Sequence, residues 1–95
     1  MAFGYVVANV NVTDPVQYEE YKKFSSIAMQ KYGAEVLVRG GKTELMEGNL
    51  HSRVIILKFP SFDDAVTFHH SAEYQLAKSK RDGAAQMNMI VAEGI

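Results

Sequence analysis

The sequence predicts an α+β fold: a ferredoxin-like βαββαβ chain whose antiparallel four-stranded sheet packs against that of a second copy as a homodimer. Three observations lead there. Apolar residues recur with period two near both ends and in the middle of the chain. Two stretches between them recur at three- and four-residue spacing and open on capping side chains. The strands also carry apolar residues on both faces, so the side of the sheet that the helices leave bare needs a cover.

From Phe3 to Val12 the chain alternates, with Val6, Ala8, Val10 and Val12 on one face and Phe3, Tyr5, Val7, Asn9 and Asn11 on the other. Asp14 is a capping residue, Pro15 suits a first helical turn, and Gln17 completes a capping box, so the first helix starts here. Tyr21, Phe24 and Ala28 form its inner stripe, while Glu19, Glu20, Lys22 and Lys23 form a solvated face. Gly33 stops it.

Two strands follow, roughly Glu35 to Met46 and Arg53 to Phe59, joined around Gly48-Asn49 as a hairpin, with a bulge or kink at Gly40-Gly41. Ser61 caps the second helix, Asp63 and Asp64 complement its dipole, and Phe62, Ala65, Val66 and His69 share a stripe. Ser71 caps a further short helix through Lys80, Gly83 releases the chain, and "QMNMIVAEG" closes the sheet. There is no repeat, low-complexity segment or linker, so residues 1–95 read as a single domain.

Ten basic and eleven acidic residues leave a formal charge of -1, which offers no global attraction to nucleic acid or anionic lipid. No segment approaches the ~20 apolar residues of a membrane span. The apolar N-terminus lacks a basic leader and is interrupted by Asn9 and Asn11, so it reads as a strand and not as a signal peptide. The absence of cysteine excludes disulfides, thiolate nucleophiles and zinc–thiolate sites, and fits a cytoplasmic location.

"GGKT" is not a phosphate loop: that motif needs glycine at position 36, where Val36 stands. Adjacent helical residues point about 100° apart, so His69 and His70 diverge instead of chelating one ion, and His51 has no ligand spacing to either. No metal and no cofactor is expected. His69 and His70 remain candidate acid–base groups, against the plainer readings of a packed imidazole on the apolar stripe and a solvent-facing residue near a helix end.

Arg39 lies opposite Val36 and Val38 in strand alternation, aimed at the bare face of the sheet, with either a carboxylate such as Glu44 or Glu47 or a bound anion as its partner. Arg53 reads as a strand-edge charge, and Arg81 as a helix-end cation able to reach back over a cleft. Tyr18, Tyr21 and Tyr74 are amphipathic, able to pack their rings and to bond through their hydroxyls.

The blocks "YVVANVNVTDPVQYEEY", "YGAEVLVRGGKTELMEG", "RVIILKFPSFDDAVTFHHSAEYQLAKSKR" and "VAEG" resemble, in order, the DUF1330 family of the dimeric α/β-barrel superfamily. The resemblance implies a ferredoxin-like subunit packed sheet to sheet with a second one. It implies recurrent positions at Asp14, Tyr21, Gly33, Arg39, Gly40, Ser71, Tyr74 and Arg81, but no established activity. The chain departs from the family pattern at Ala34-Glu35, and at His69, where relatives carry an aromatic; that departure favours a packing role there. Chemistry seen elsewhere in the superfamily, such as cofactor-free oxygenation or lactone isomerisation, does not transfer by fold.

The resulting expectation is a homodimer whose cleft binds a small organic anion or polar aromatic compound. Tyr5, Asn9, Arg39, Ser71, Tyr74 and Arg81 are its ligand-binding candidates, and His69 and His70 its acid–base candidates in cofactor-independent isomerase-like or oxygenase-like chemistry. The alternative is a non-catalytic dimeric binding or stress-associated module.

Overall fold

The computed structural model describes residues 2–95. The chain runs β1 (Gly4–Val12), α1 (Pro15–Lys31), β2 (Glu35–Arg39), β3 (Arg53–Phe59), α2 (Phe62–His70), α3 (Ala72–Lys80) and β4 (Ala85–Glu93). All pairings are antiparallel and the order across the sheet is β2-β3-β1-β4. This is the ferredoxin-like arrangement, α+β with the helices on one side.

The helix starts follow the capping chemistry. The Asp14 side chain accepts from the Gln17 amide at 3.1 Å, with Pro15 opening α1, and Ser61 accepts from the Asp64 amide at 3.1 Å to open α2. Ser71 leaves α2 in an extended conformation and accepts from the Tyr74 amide at 3.1 Å, starting α3 in a new direction.

The core lies between sheet and helices. Val6, Ala8 and Val10 of β1 point into it, flanked by Ile55 and Leu57 of β3 and by Met87, Met89 and Val91 of β4. Tyr18, Tyr21 and Ala28 of α1 meet them from above, as do Ala65 and Phe68 of α2 and Tyr74 and Ala77 of α3. The Phe68 ring sits 5.0 Å from Phe59 and 4.9 Å from Tyr74, and burying three such rings is a large share of the core's hydrophobic stabilisation.

Three local expectations are corrected. The second strand stops at Arg39, not Met46, and residues 40–52 are an irregular connection in place of a tight hairpin. Gly40 takes a φ of +71°, which turns the backbone out of the sheet after a last bond from its amide to the Val54 carbonyl. On α2, Phe68 is buried and Phe62 is exposed, because the helix meets the sheet through the Phe59–Phe68–Tyr74 stack.

The third correction concerns Arg39. Val36 lies opposite Leu57 but Val38 lies opposite Ile56, so Leu37 is the extra residue of a β-bulge. The bulge inverts the alternation: Arg39 pairs with Ile55, on the helix side, and its Nη2 donates to Ser26 Oγ of α1 at 3.0 Å. The guanidinium is therefore not on the bare face, and its partner is neither Glu44 nor Glu47. That face carries Tyr5, Val7, Asn9, Val54, Ile56 and Ile90.

Candidate functional site

The structure divides the candidate residues between the two sides of the sheet. Tyr5 and Asn9 lie on the bare face, where Asn9 Oδ1 accepts from the His51 amide at 3.1 Å and from Asn88 Nδ2 at 3.3 Å. Arg39, Tyr74 and Arg81 lie on the helix side, so no single cleft holds all of them. Ser71 is engaged in joining α2 to α3, its hydroxyl donating to the Phe68 carbonyl at 2.7 Å while accepting from Tyr74.

The histidines separate as helix geometry requires, their rings 5.6 Å apart at an interplanar angle of 87°. His70 is exposed. His69 is half-buried, with its ring 5.2 Å from that of Tyr74. Burial, then charge repulsion from Lys78, His70 and Arg81, lowers its pKa, so its imidazole is held neutral near pH 7. Both line a hollow of about 140 Å³ with Val66, Met89, Ile90 and Val91.

The densest polar constellation is a different one, built from tyrosines and arginines. Tyr18 and Tyr21 stand three residues apart on the inner face of α1, with ring centroids 5.1 Å apart. The Tyr21 and Tyr74 hydroxyls meet at 2.9 Å in the interior. The Arg81 guanidinium lies 5.3 Å from the Tyr21 ring, and that of Arg53 lies 5.9 Å from the Tyr18 ring.

The electrostatics follow from this crowding. Burial raises the Tyr18 pKa, partly opposed by Arg53 and then Arg81. Tyr21 is pushed up further, by burial and then by Tyr74. Burial works against the Arg81 cation, but the Tyr74 and Tyr21 hydroxyls outweigh it and its pKa is raised. Tyr18 and Tyr21 are therefore neutral donors and Arg81 is cationic at neutral pH.

What this cluster lacks is an anionic acceptor: its guanidinium groups meet only tyrosine hydroxyls and, for Arg39, the Ser26 hydroxyl. Among the described residues no carboxylate lies within 4 Å of Arg39, Arg53 or Arg81, and the Nε atoms of Arg53 and Arg81 are shielded from solvent without a protein partner. The Tyr21–Tyr74 bond uses one of its two hydroxyl protons, which leaves the other without a protein acceptor among those residues. Such a surplus of buried donors is what an anionic oxygen satisfies. Among the described residues no group of three His, Asp or Glu side chains is placed to hold a metal ion.

Between the cluster and the sheet lies a cavity of about 20 Å³, lined by Tyr18, Tyr21, Tyr74, Arg39 and Arg53 against Val6, Ala8, Met87 and Met89. Sequence reasoning missed Arg53 as a member. The signal was in the strand register: Arg53 pairs with Val10, so once Val10 points inward Arg53 must too.

A family model described as a domain of unknown function, DUF1330, matches residues 3–95. No protein of curated function matches the chain. Among solved structures, the RPA0582 protein of unknown function from Rhodopseudomonas palustris is similar at a TM-score of 0.73 and 20% identity, over 99% of this chain and 83% of that one. A dimeric protein of unknown function and ferredoxin-like fold from Bacteroides fragilis is similar at a TM-score of 0.60 and 14% identity, over 97% and 95% of the two chains. A protein from Nitrosomonas europaea, described as a proposed antibiotic biosynthesis monooxygenase, is similar at a TM-score of 0.60 and 10% identity, over 100% and 93%. At these identities the likeness is one of fold.

Proposed function

Since the chain belongs to the DUF1330 family, whose description names no activity, we propose from the site itself that it is a homodimeric binding protein for a small organic anion. The ligand is held between sheet and helices by Arg53 and the Tyr18, Tyr21 and Tyr74 hydroxyls, with Arg81 behind them over the Tyr21 ring. The observation that carries this reading is the pair of solvent-shielded Nε donors without a protein acceptor. Leaving such groups unpaired costs roughly 1–3 kcal/mol each, which an oxyanion would recover on binding.

Self-association is supported by the dimeric ferredoxin-like neighbour and by the apolar bare face, where Val7 lies between Ile56 and Ile90. Packing two such faces together would bury them, and it leaves the arginine–tyrosine site on the far side of each sheet.

Melting curves against small carboxylates, phenols, quinones and lactones test the reading. A ligand at a hundred times its Kd should add ~2.7 kcal/mol of stability. The gain should vanish in Arg53→Met and in Arg81→Met. A panel in which no anion stabilises the wild type, or in which both variants respond like it, would refute the anion site and favour a non-catalytic interaction module.

One observation favours turnover as a second reading: a neutral, half-buried His69 packs on Tyr74, whose hydroxyl belongs to the donor cluster. With a ligand in place it could take a proton while Arg81 and the tyrosines stabilise an enolate or phenolate, as isomerase-like or cofactor-free oxygenase-like chemistry requires. His69→Phe should then abolish turnover of a ligand that it still binds, whereas His70→Ala should not.

A further inference from the structure

The inner cavity does not stand alone. A groove of about 220 Å³, lined by Val12, Pro15, Tyr18, Glu19, Lys22 and Arg53, shares Tyr18, Lys22 and Arg53 with it. The two compartments meet at these side chains and differ in character. The inner one, at about 20 Å³, has room for about one water-sized group, such as a single carboxylate oxygen, and presents tyrosine and arginine donors. The outer one presents Val12 and Pro15, and its free charge is reduced because Lys22 Nζ is paired with Glu19 at 2.7 Å.

From this division the geometry points to a monocarboxylate with an apolar tail as the ligand, its head against Arg53 and Tyr18 and its tail along Val12 and Pro15. The inference rests on the anion-binding reading above and narrows it. A head without a tail leaves the groove's apolar wall wet. A second acid at the far end of the tail would lose its hydration in the groove and face the Glu19 carboxylate at the rim, where like charges repel. Each methylene that the groove takes up should tighten binding by at most about fourfold, the value for complete burial.

The test is calorimetric titration of the full chain with acetate, butyrate, hexanoate and adipate at matched ionic strength. The expected result is a Kd that falls along the monoacid series by about two- to fourfold per methylene, with adipate weaker than hexanoate. Val12→Trp should fill the groove and flatten the chain-length dependence while acetate still binds. Glu19→Gln, a change at an exposed position, should bring adipate closer to hexanoate and keep the test informative if the tryptophan variant does not fold. Equal affinity for acetate and hexanoate, or adipate binding as tightly as hexanoate to the wild type, would overturn the tail site and leave the anion reading standing. Failure of every acid to bind would overturn both.

Discussion

The hydroxyls of Tyr21 and Tyr74 bond to each other at 2.9 Å across 53 residues of sequence, joining α1 to α3 in the interior of the site. Removing either one strands the other in a buried position. Tyr21→Phe and Tyr74→Phe should each destabilise the fold by roughly 1–3 kcal/mol, and the double variant by clearly less than their sum. Urea denaturation of the four proteins measures this, and strict additivity would show that the two hydroxyls are not coupled.

Gly40 is where β2 ends and where Arg53 is accommodated. Its φ is +71°, and a Cβ built there would run into the Arg53 guanidinium. Gly40→Ala should therefore cost roughly 1–2 kcal/mol in backbone strain and also move Arg53 off its place beside Tyr18. Two readouts separate these effects: a lower melting temperature reports the strain, and weaker anion binding reports the displaced arginine. Unchanged anion binding would mean that Arg53 is not held by this contact.

A further prediction concerns acid. Glu73 on α3 pairs with Lys31 and accepts from the Tyr32 hydroxyl at 2.9 Å, tying α3 to the end of α1. Lys31 first, then its own backbone amide and Tyr32, pull its pKa from 4.5 down to about 2. The folded state therefore binds this proton less readily than the unfolded chain. The contribution is complete above the unfolded value and is lost as pH falls from about 5 towards 2. Because the carboxylate is solvent-exposed the effect is modest and salt-sensitive. Melting temperature against pH should fall less steeply over that range in Glu73→Gln than in the wild type; parallel curves would contradict it.

Much of this is legible in the sequence, because capping and alternation act locally. Asp14 with Gln17, Ser61 with Asp64 and Ser71 with Tyr74 mark helix starts through a single short-range bond each, and period two in β1 gave its faces correctly. The site was less legible because its members meet only through long-range pairing. Plain alternation in "EVLVR" puts Arg39 on the bare face, and the bulge at Leu37 that moves it to the helix side has no signal in those residues. No local pattern tells that the sheet separates Tyr5 and Asn9 from Tyr74. Arg53 required the β1–β3 register, which no local pattern carries.

The bare face yields the last prediction. Val7, Ile56 and Ile90 lie side by side across β3, β1 and β4, and Ile90 is 61% exposed in the single subunit. If two sheets pack face to face, Ile90 is taken out of water in the dimer but belongs to no core within one subunit. Ile90→Lys then places an unpaired charge in the interface, a cost of several kcal/mol to association, while the fold of each subunit loses little. Ile27 is the matched control: it is 59% exposed on α1, on the helix side that this packing leaves free. Sedimentation velocity should find Ile90→Lys monomeric with a native circular dichroism spectrum and Ile27→Lys still dimeric. A dimer that survives Ile90→Lys but dissociates with Ile27→Lys would place the interface on the helices, and would then put the arginine–tyrosine site close to the partner subunit instead of facing solvent.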